Sequence, residues 1–164
     1  MDSSRADLML ALYEPDIPQN CGTMLRACAC LGVDAAIIEP AGFPVSDRHF
    51  RRAGMDYLDK VRIDRHASFD AFEAWRAAQG RRLALLTTGG DVAIWDFAFR
   101  PGDILMVGRE SAGVPAYVLK RADARLVAPL RPGMRSLNVA VAASLALGEA
   151  LRQARLFSSR REDR

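Results

Sequence analysis

Five short apolar runs, each closed by glycine, proline or a Glu-Pro pair, constrain this chain more than any other feature. Residues 8–13 stop at Glu14-Pro15, 35–38 at Glu39-Pro40, 83–88 at Gly89-Gly90, 103–107 at Gly108 and 124–128 at Pro129. Runs this short and this apolar predict strands covered on both faces, as in parallel sheets. Helical patterns lie between them. Asp16 offers an acidic cap with Pro18 near the first helical position, and the Ala- and Leu-rich stretch that follows ends at Gly32. Phe69, Phe72 and Trp75 recur every third residue between Ser68 and Gln79, which predicts a helix with one aromatic stripe facing a core. Ser46-Asp47 is expected to cap a short helix ending at Gly54, and residues 57–63 to form an edge strand or a loop.

From Ser136 the chain reads as a long Ala-rich helix whose first three turns carry no charge, with Ser136 as its N-cap. An uncharged helix implies burial all round, inside the domain or against another subunit. Alternating strands and helices make an α/β domain with a mainly parallel sheet, whose ligands gather at loops beyond the strands' carboxyl ends. Those loops are 86–90, 108–113 and 128–138.

The chain has 164 residues, 50% apolar and 26% charged, which suits one folded domain and excludes wholesale disorder. The domain is expected over residues 1–157, with 158–164 as a frayed basic tail. Net charge is only +3, too small to establish a nucleic-acid partner. Of 23 basic residues all but Lys60 and Lys120 are arginine, a usage that suits phosphate contact and equally follows from genome base composition. Cysteines at 21, 28 and 30 are odd in number and supply no disulfide framework. The first residues lack a secretory pattern, and the nearly uncharged run 137–148 is shorter than the roughly 18–20 residues that span a bilayer. A reducing cytoplasmic setting without membrane contact is expected.

Neither the dinucleotide glycine fingerprint nor a P-loop occurs, two histidines offer no zinc spacing, and no nucleophile elbow is present. Three segments remain. In Asn20-Cys-Gly22-Thr-Met-Leu-Arg26 the helical spacing sets Gly22, Thr23 and Arg26 on one face. Gly108-Arg-Glu110-Ser-Ala-Gly113 is a glycine-bounded loop after a strand, able to bring bare backbone amides against a ligand. Ser136-Leu137-Asn138 opens the last helix.

Taken in order, these segments resemble the three motifs of the SPOUT class of S-adenosylmethionine-dependent RNA 2′-O-ribose methyltransferases. Leu12-Tyr-Glu-Pro15 and Arg51-Arg-Ala-Gly-Met-Asp-Tyr57 look like the small subgroup that methylates the wobble nucleotide of tRNA. Arg109 departs from the family pattern, where many members have proline.

The resemblance implies helices on both faces of a parallel sheet, a deep trefoil knot in the C-terminal part, and a homodimer acting on tRNA, with neither DNA nor metal involved. Carried over by position, it implies donor contacts from Leu86, Thr87, Gly108, Ala128, Leu130, Ser136 and Leu137. Arg26 would carry the key catalytic role, with Asn20 beside it and Glu110 tying the second loop to the first motif. Asn138 would orient substrate, and Arg48, Arg51, Arg52, Arg131 and Arg135 are candidates for the RNA face. Leucine tRNAs carrying cytidine 34 or a modified uridine 34 are the expected substrates. The same three motifs also serve ribose methylation elsewhere in tRNA or rRNA, and a non-catalytic RNA-binding protein is the remaining alternative.

Overall fold

The computed structural model describes residues 5–44 and 59–162, with side chains described as far as Ala154. All five apolar runs form strands: β1 (Met9–Tyr13), β2 (Asp34–Ile38), β4 (Leu83–Leu86), β6 (Ile104–Val107) and β7 (Ala124–Val127). Two further strands complete the set, β3 (Ile63–His66) and β5 (Val92–Ala93). Helices α1 (Pro18–Leu31), α2 (Phe69–Gln79), α3 (Ala116–Arg121) and α4 (Val139–Glu162) connect or follow them. The seven strands form one sheet in the order β3-β2-β1-β6-β4-β7-β5, with every pairing parallel.

Period-two alternation along the strands divides the core into two layers. Leu10 and Leu12 of β1 join Met24 and Leu25 of α1 and Ala143 and Leu147 of α4 on one face. Met9, Ala11 and Tyr13 join Phe69 and Phe72 of α2 and Val118 of α3 on the other. The sheet is therefore covered on both sides, as the apolar runs require. Strand order reverses between β1 and its neighbour β6, so a crevice opens at the carboxyl ends there.

Several local expectations change. The edge strand lies at Ile63–His66 rather than within 57–63, because register with β2 pairs Ala35 with Ile63 and Ile38 with His66. Charged Asp64 and Arg65 are tolerated there because the edge is solvated. The helix expected over 46–54 and residues 57–58 lie outside the described residues. The residue capping α1 is Ile17, with no side-chain cap bond, since the Asp16 carboxylate is engaged elsewhere. Asn138 rather than Ser136 caps α4: its Oδ1 accepts from the N–H groups of Ala140 at 2.8 Å and Val141 at 3.3 Å. Burial of α4 is one-sided, with Ala143, Ala146 and Leu147 in the core and Val141 half exposed at 50%. Its backbone is helical to Glu162.

Beyond β4 the chain passes tightly over β7 before forming β5 on the far side. Gly90 is needed for that passage, because a Cβ there would lie 2.4 Å from the carbonyl of Leu126. Among the described residues no helix is long and apolar enough to cross a membrane.

At the opposite end of the sheet, Asp103 is 1% exposed and takes both Arg82 Nε at 2.8 Å and Arg82 Nη2 at 2.7 Å, with the Arg100 N–H at 2.7 Å. This fork holds the entry of β6 against that of β4. Asp103→Ala should lower unfolding free energy by about 3 kcal/mol, through lost charged hydrogen bonds and a stranded guanidinium. Urea denaturation checks it, and a loss below about 1 kcal/mol would mean the fork is dispensable.

Candidate active site

The carboxyl ends of β4, β6 and β7 surround a cavity of about 790 Å³. That volume suits a ligand of small-cofactor size. Leu86 is the last residue of β4 and Thr87 the first beyond it, Gly108 comes from the loop after β6, and Ala128, Leu130, Ser136 and Leu137 from the segment between β7 and α4. All seven residues carried over as donor contacts thus line one space, together with Asn138 and Arg135.

The loop after β6 is pinched by its own backbone. Arg109 N–H donates to Gly113 O at 3.0 Å and Gly113 N–H donates back to Arg109 O at 2.8 Å. Gly113 sits at φ 60°, in the left-handed region that glycine adopts without strain. Gly108 approaches so closely that a Cβ would lie 2.7 Å from the carbonyl carbon of Gly113. A proline at 109 would have no N–H for the first of these bonds, so arginine in place of the family's proline has a backbone consequence. Its side chain lies over Tyr13, 5.7 Å from the ring centroid, and reaches Glu14 Oε2 at 3.5 Å. Burial, reinforced by Glu14 and then Tyr117, pushes the Tyr13 hydroxyl above its ordinary value, so at neutral pH it is a phenol and not a base.

Two bridges join the motifs. Asn138 Nδ2 donates to Asn20 Oδ1 at 3.1 Å, linking the start of α4 to α1. The Asp16 carboxylate accepts from Glu110 N–H at 3.2 Å, from Ser111 N–H at 3.3 Å and from Ser111 Oγ. Burial alone would raise the Asp16 carboxyl, but these bonds outweigh it and hold the group below its ordinary value. Glu110 is exposed, and its backbone N–H reaches Asp16, which lies before the first motif.

The remaining expected residues divide. Gly22 is buried, whereas Thr23 and Arg26 are exposed, so the three do not share one environment. Thr23 Oγ1 donates to Gln19 O at 2.9 Å. Arg26 does not line the cavity, and neither does the exposed Arg131. Arg48, Arg51 and Arg52 lie outside the described residues. Among the described residues no cluster of three or more His, Cys, Asp or Glu side chains could hold a metal ion.

A model of the SpoU rRNA methylase family matches residues 7–148. The chain belongs to the SpoU methylase family. It is 74% identical over 145 residues to a tRNA (cytidine(34)-2′-O)-methyltransferase of Beijerinckia indica, covering 88% of this chain and 91% of that one. A structure solved for insight into the 2-OH methylation of C/U34 on tRNA superposes with a TM-score of 0.84 at 41% identity, covering 90% of this chain and 95% of that one. The SpoU methyltransferase AviRb of Streptomyces viridochromogenes, in complex with AdoMet, gives a TM-score of 0.84 at 27% identity, over 92% of this chain and 59% of the longer one. The family expected from the three motifs is the one found.

As a SpoU methylase, the chain holds site features that the motifs did not reveal. Asp16 offered only the signal of a helix cap, four residues before the first motif. Ile17 and Met134 also line the cavity, and nothing in their spacing marks them. Gly108→Ala tests the pinch most simply. It should weaken binding of S-adenosylmethionine by at least about tenfold, the effect of displacing one close-packed wall. Calorimetry measures this, with circular dichroism to show retained fold; unchanged affinity would remove Gly108 from the site.

Proposed function

We propose that this SpoU methylase transfers the methyl group of S-adenosylmethionine to the ribose 2′-oxygen of the wobble nucleotide of tRNA, cytidine 34 or a modified uridine 34. Leucine tRNAs are the proposed substrates and the cytoplasm the setting. The observation that carries this reading is the single cavity lined by all seven expected donor residues and bridged to the first motif through Asn20 and Asn138. The naming of the close relatives supports it.

The cavity fits the donor in size and in chemistry. Backbone at Leu86, Thr87 and Gly108 borders the cavity, where carbonyl groups suit an adenine edge and the polar ends of an amino acid; the Thr87 N–H itself is given to Leu126 O. Ala128, Leu130 and Leu137 supply apolar walls for a ring. When bound, S-adenosylmethionine supplies a methyl on a sulfonium, already a good leaving group. The protein's tasks are to align the accepting oxygen and to handle its proton.

In this reading Arg26 grips the phosphate beside the target ribose with its planar fork and stabilises charge developing on the oxygen. A guanidinium keeps its proton at neutral pH and is a poor base there. Asn20 and Asn138, already bonded to each other, orient the nucleotide. Arg131 and Arg135, with Arg48, Arg51 and Arg52, form the proposed RNA face, so tRNA affinity depends on salt.

The proposed active form is a homodimer, supported by the exposed apolar side chains Val141 and Leu145 on the first turns of α4. Covering them seats α4 against a second copy. A trefoil knot is the proposed path of the C-terminal strands. It is supported by β7 lying between β4 and β5 and by the tight passage at Gly90.

Nucleoside mass spectrometry of tRNA from a strain lacking the gene should show loss of 2′-O-methylcytidine and of the 2′-O-methylated wobble uridine. Unchanged levels of both would contradict the proposal. Arg26→Lys keeps the charge and loses the fork, and its methyl transfer at neutral pH should fall about tenfold to a hundredfold. Near-full activity would sink the bidentate role.

A further inference from the structure

The segment between β1 and α1 contacts the loop after β6 at two places, and neither contact is used in the proposed mechanism. Glu14 reaches Arg109 at 3.5 Å, and Asp16 takes the two consecutive backbone N–H groups of Glu110 and Ser111 together with the Ser111 hydroxyl. Glu14 adopts φ 41°, a left-handed conformation that a residue with a Cβ occupies at some cost. That turn, followed by Pro15, aims the chain so that Asp16 faces residues 110 and 111. An acidic residue in this place has an obvious local use, to cap α1, and the structure gives that position to Ile17.

The loop that Asp16 holds is a wall of the donor cavity: Gly108, Arg109, Glu110, Ser111 and Gly113 all line it. Its internal restraint is the pinch between Arg109 and Gly113, which closes the loop on itself without fixing its position against the rest of the protein. Asp16 supplies that position. A carboxylate accepting two adjacent N–H groups and a hydroxyl orients the peptide planes at 110 and 111, and charge-assisted bonds of this kind are among the stronger ones. Two residues later Pro18 begins α1, which carries Asn20 and Arg26.

We propose that Asp16 is a positioning residue for the donor site, holding the 108–113 loop in its binding shape and coupling that loop to the helix bearing the first motif. Asp16 does not line the 790 Å³ cavity, so it acts through Glu110 and Ser111 and not by touching the donor. Because the same residue is joined to α1, donor binding and the placement of Asn20 are linked, and linkage of this kind is reciprocal. This inference rests on the proposed function, since it takes the cavity to be the donor's.

Calorimetric titration with S-adenosylmethionine tests it on the full chain as wild type, Asp16→Ala, Asp16→Asn, Ser111→Ala and the Asp16→Ala/Ser111→Ala double variant. Melting curves run beside each titration. Donor affinity should fall about tenfold in Asp16→Ala and less in Asp16→Asn, which keeps one acceptor oxygen of the same reach. Ser111→Ala should weaken binding on its own and add little in the double variant, because both changes break one contact. In steady state the KM for donor should rise while kcat at saturating donor stays near wild type. A purely stabilising role would lower the melting temperature and leave donor affinity and KM unchanged; that result overturns the inference. Should Asp16→Ala fail to fold, the Asp16→Asn and Ser111→Ala affinities decide the matter alone, and wild-type values in both overturn it. Wild-type protein without affinity for S-adenosylmethionine would overturn the proposed function and this inference together. Donor binding by wild type with unchanged affinity in the variants overturns this inference only.

Discussion

Burial of the sheet on both faces is the constraint from which the rest of the structure follows. With α1 and α4 on one side and α2 and α3 on the other, the central strands have no solvated face on which to carry a polar group. Chemistry is left to the strand ends and the loops beyond them. The two ends are used differently. At the amino ends, Arg82 and Asp103 lock neighbouring strands together as a structural pair. At the carboxyl ends, the loops after β4, β6 and β7 enclose the cavity, with glycine and small polar residues beside the apolar Leu130, Met134 and Leu137.

Loops are the least rigid part of such a fold, so a site made of three of them needs cross-links. The structure supplies three kinds. The Arg109–Gly113 pair closes one loop on itself, Asn20–Asn138 joins the first motif to the third, and Asp16 joins the connection between β1 and α1 to the loop after β6. The first is local, between residues four apart, and the other two are polar contacts between residues far apart in sequence. The glycines at 90 and 108 matter for a related reason: backbone lies against backbone at both, leaving no room for a side chain.

Much of this was legible in the sequence, for identifiable reasons. Apolar runs ended by Gly and Pro announced the central strands because burial and chain reversal leave strong compositional marks. The aromatic stripe at Phe69, Phe72 and Trp75 marked α2 in the same way. The two-residue strand β5 and the six-residue helix α3 are too short for a periodic signal, and β3 gains its register from β2 rather than from its own pattern. Uncharged α4 suggested burial inside the domain or against another subunit, and in the single chain Ala143, Ala146 and Leu147 are in the core while Val141 lies on an exposed flank. In the site, the seven residues carried over as donor contacts share one cavity with Asn138, whereas Arg26 does not line it. Asp16 and the Arg109 backbone did not announce themselves, since a hydrogen bond between residues 16 and 110 has no trace in local spacing.

The chain belongs to the SpoU methylase family, and its cavity, motif bridges and relatives favour a ribose methyltransferase acting at the wobble nucleotide. The most direct measurement is transfer of a labelled methyl group from S-adenosylmethionine by the purified protein to two leucine tRNAs that differ in one atom. One carries cytidine at position 34 and the other 2′-deoxycytidine. The account predicts incorporation into the first and none into the second. Equal labelling of both would place the reaction at another atom and contradict it.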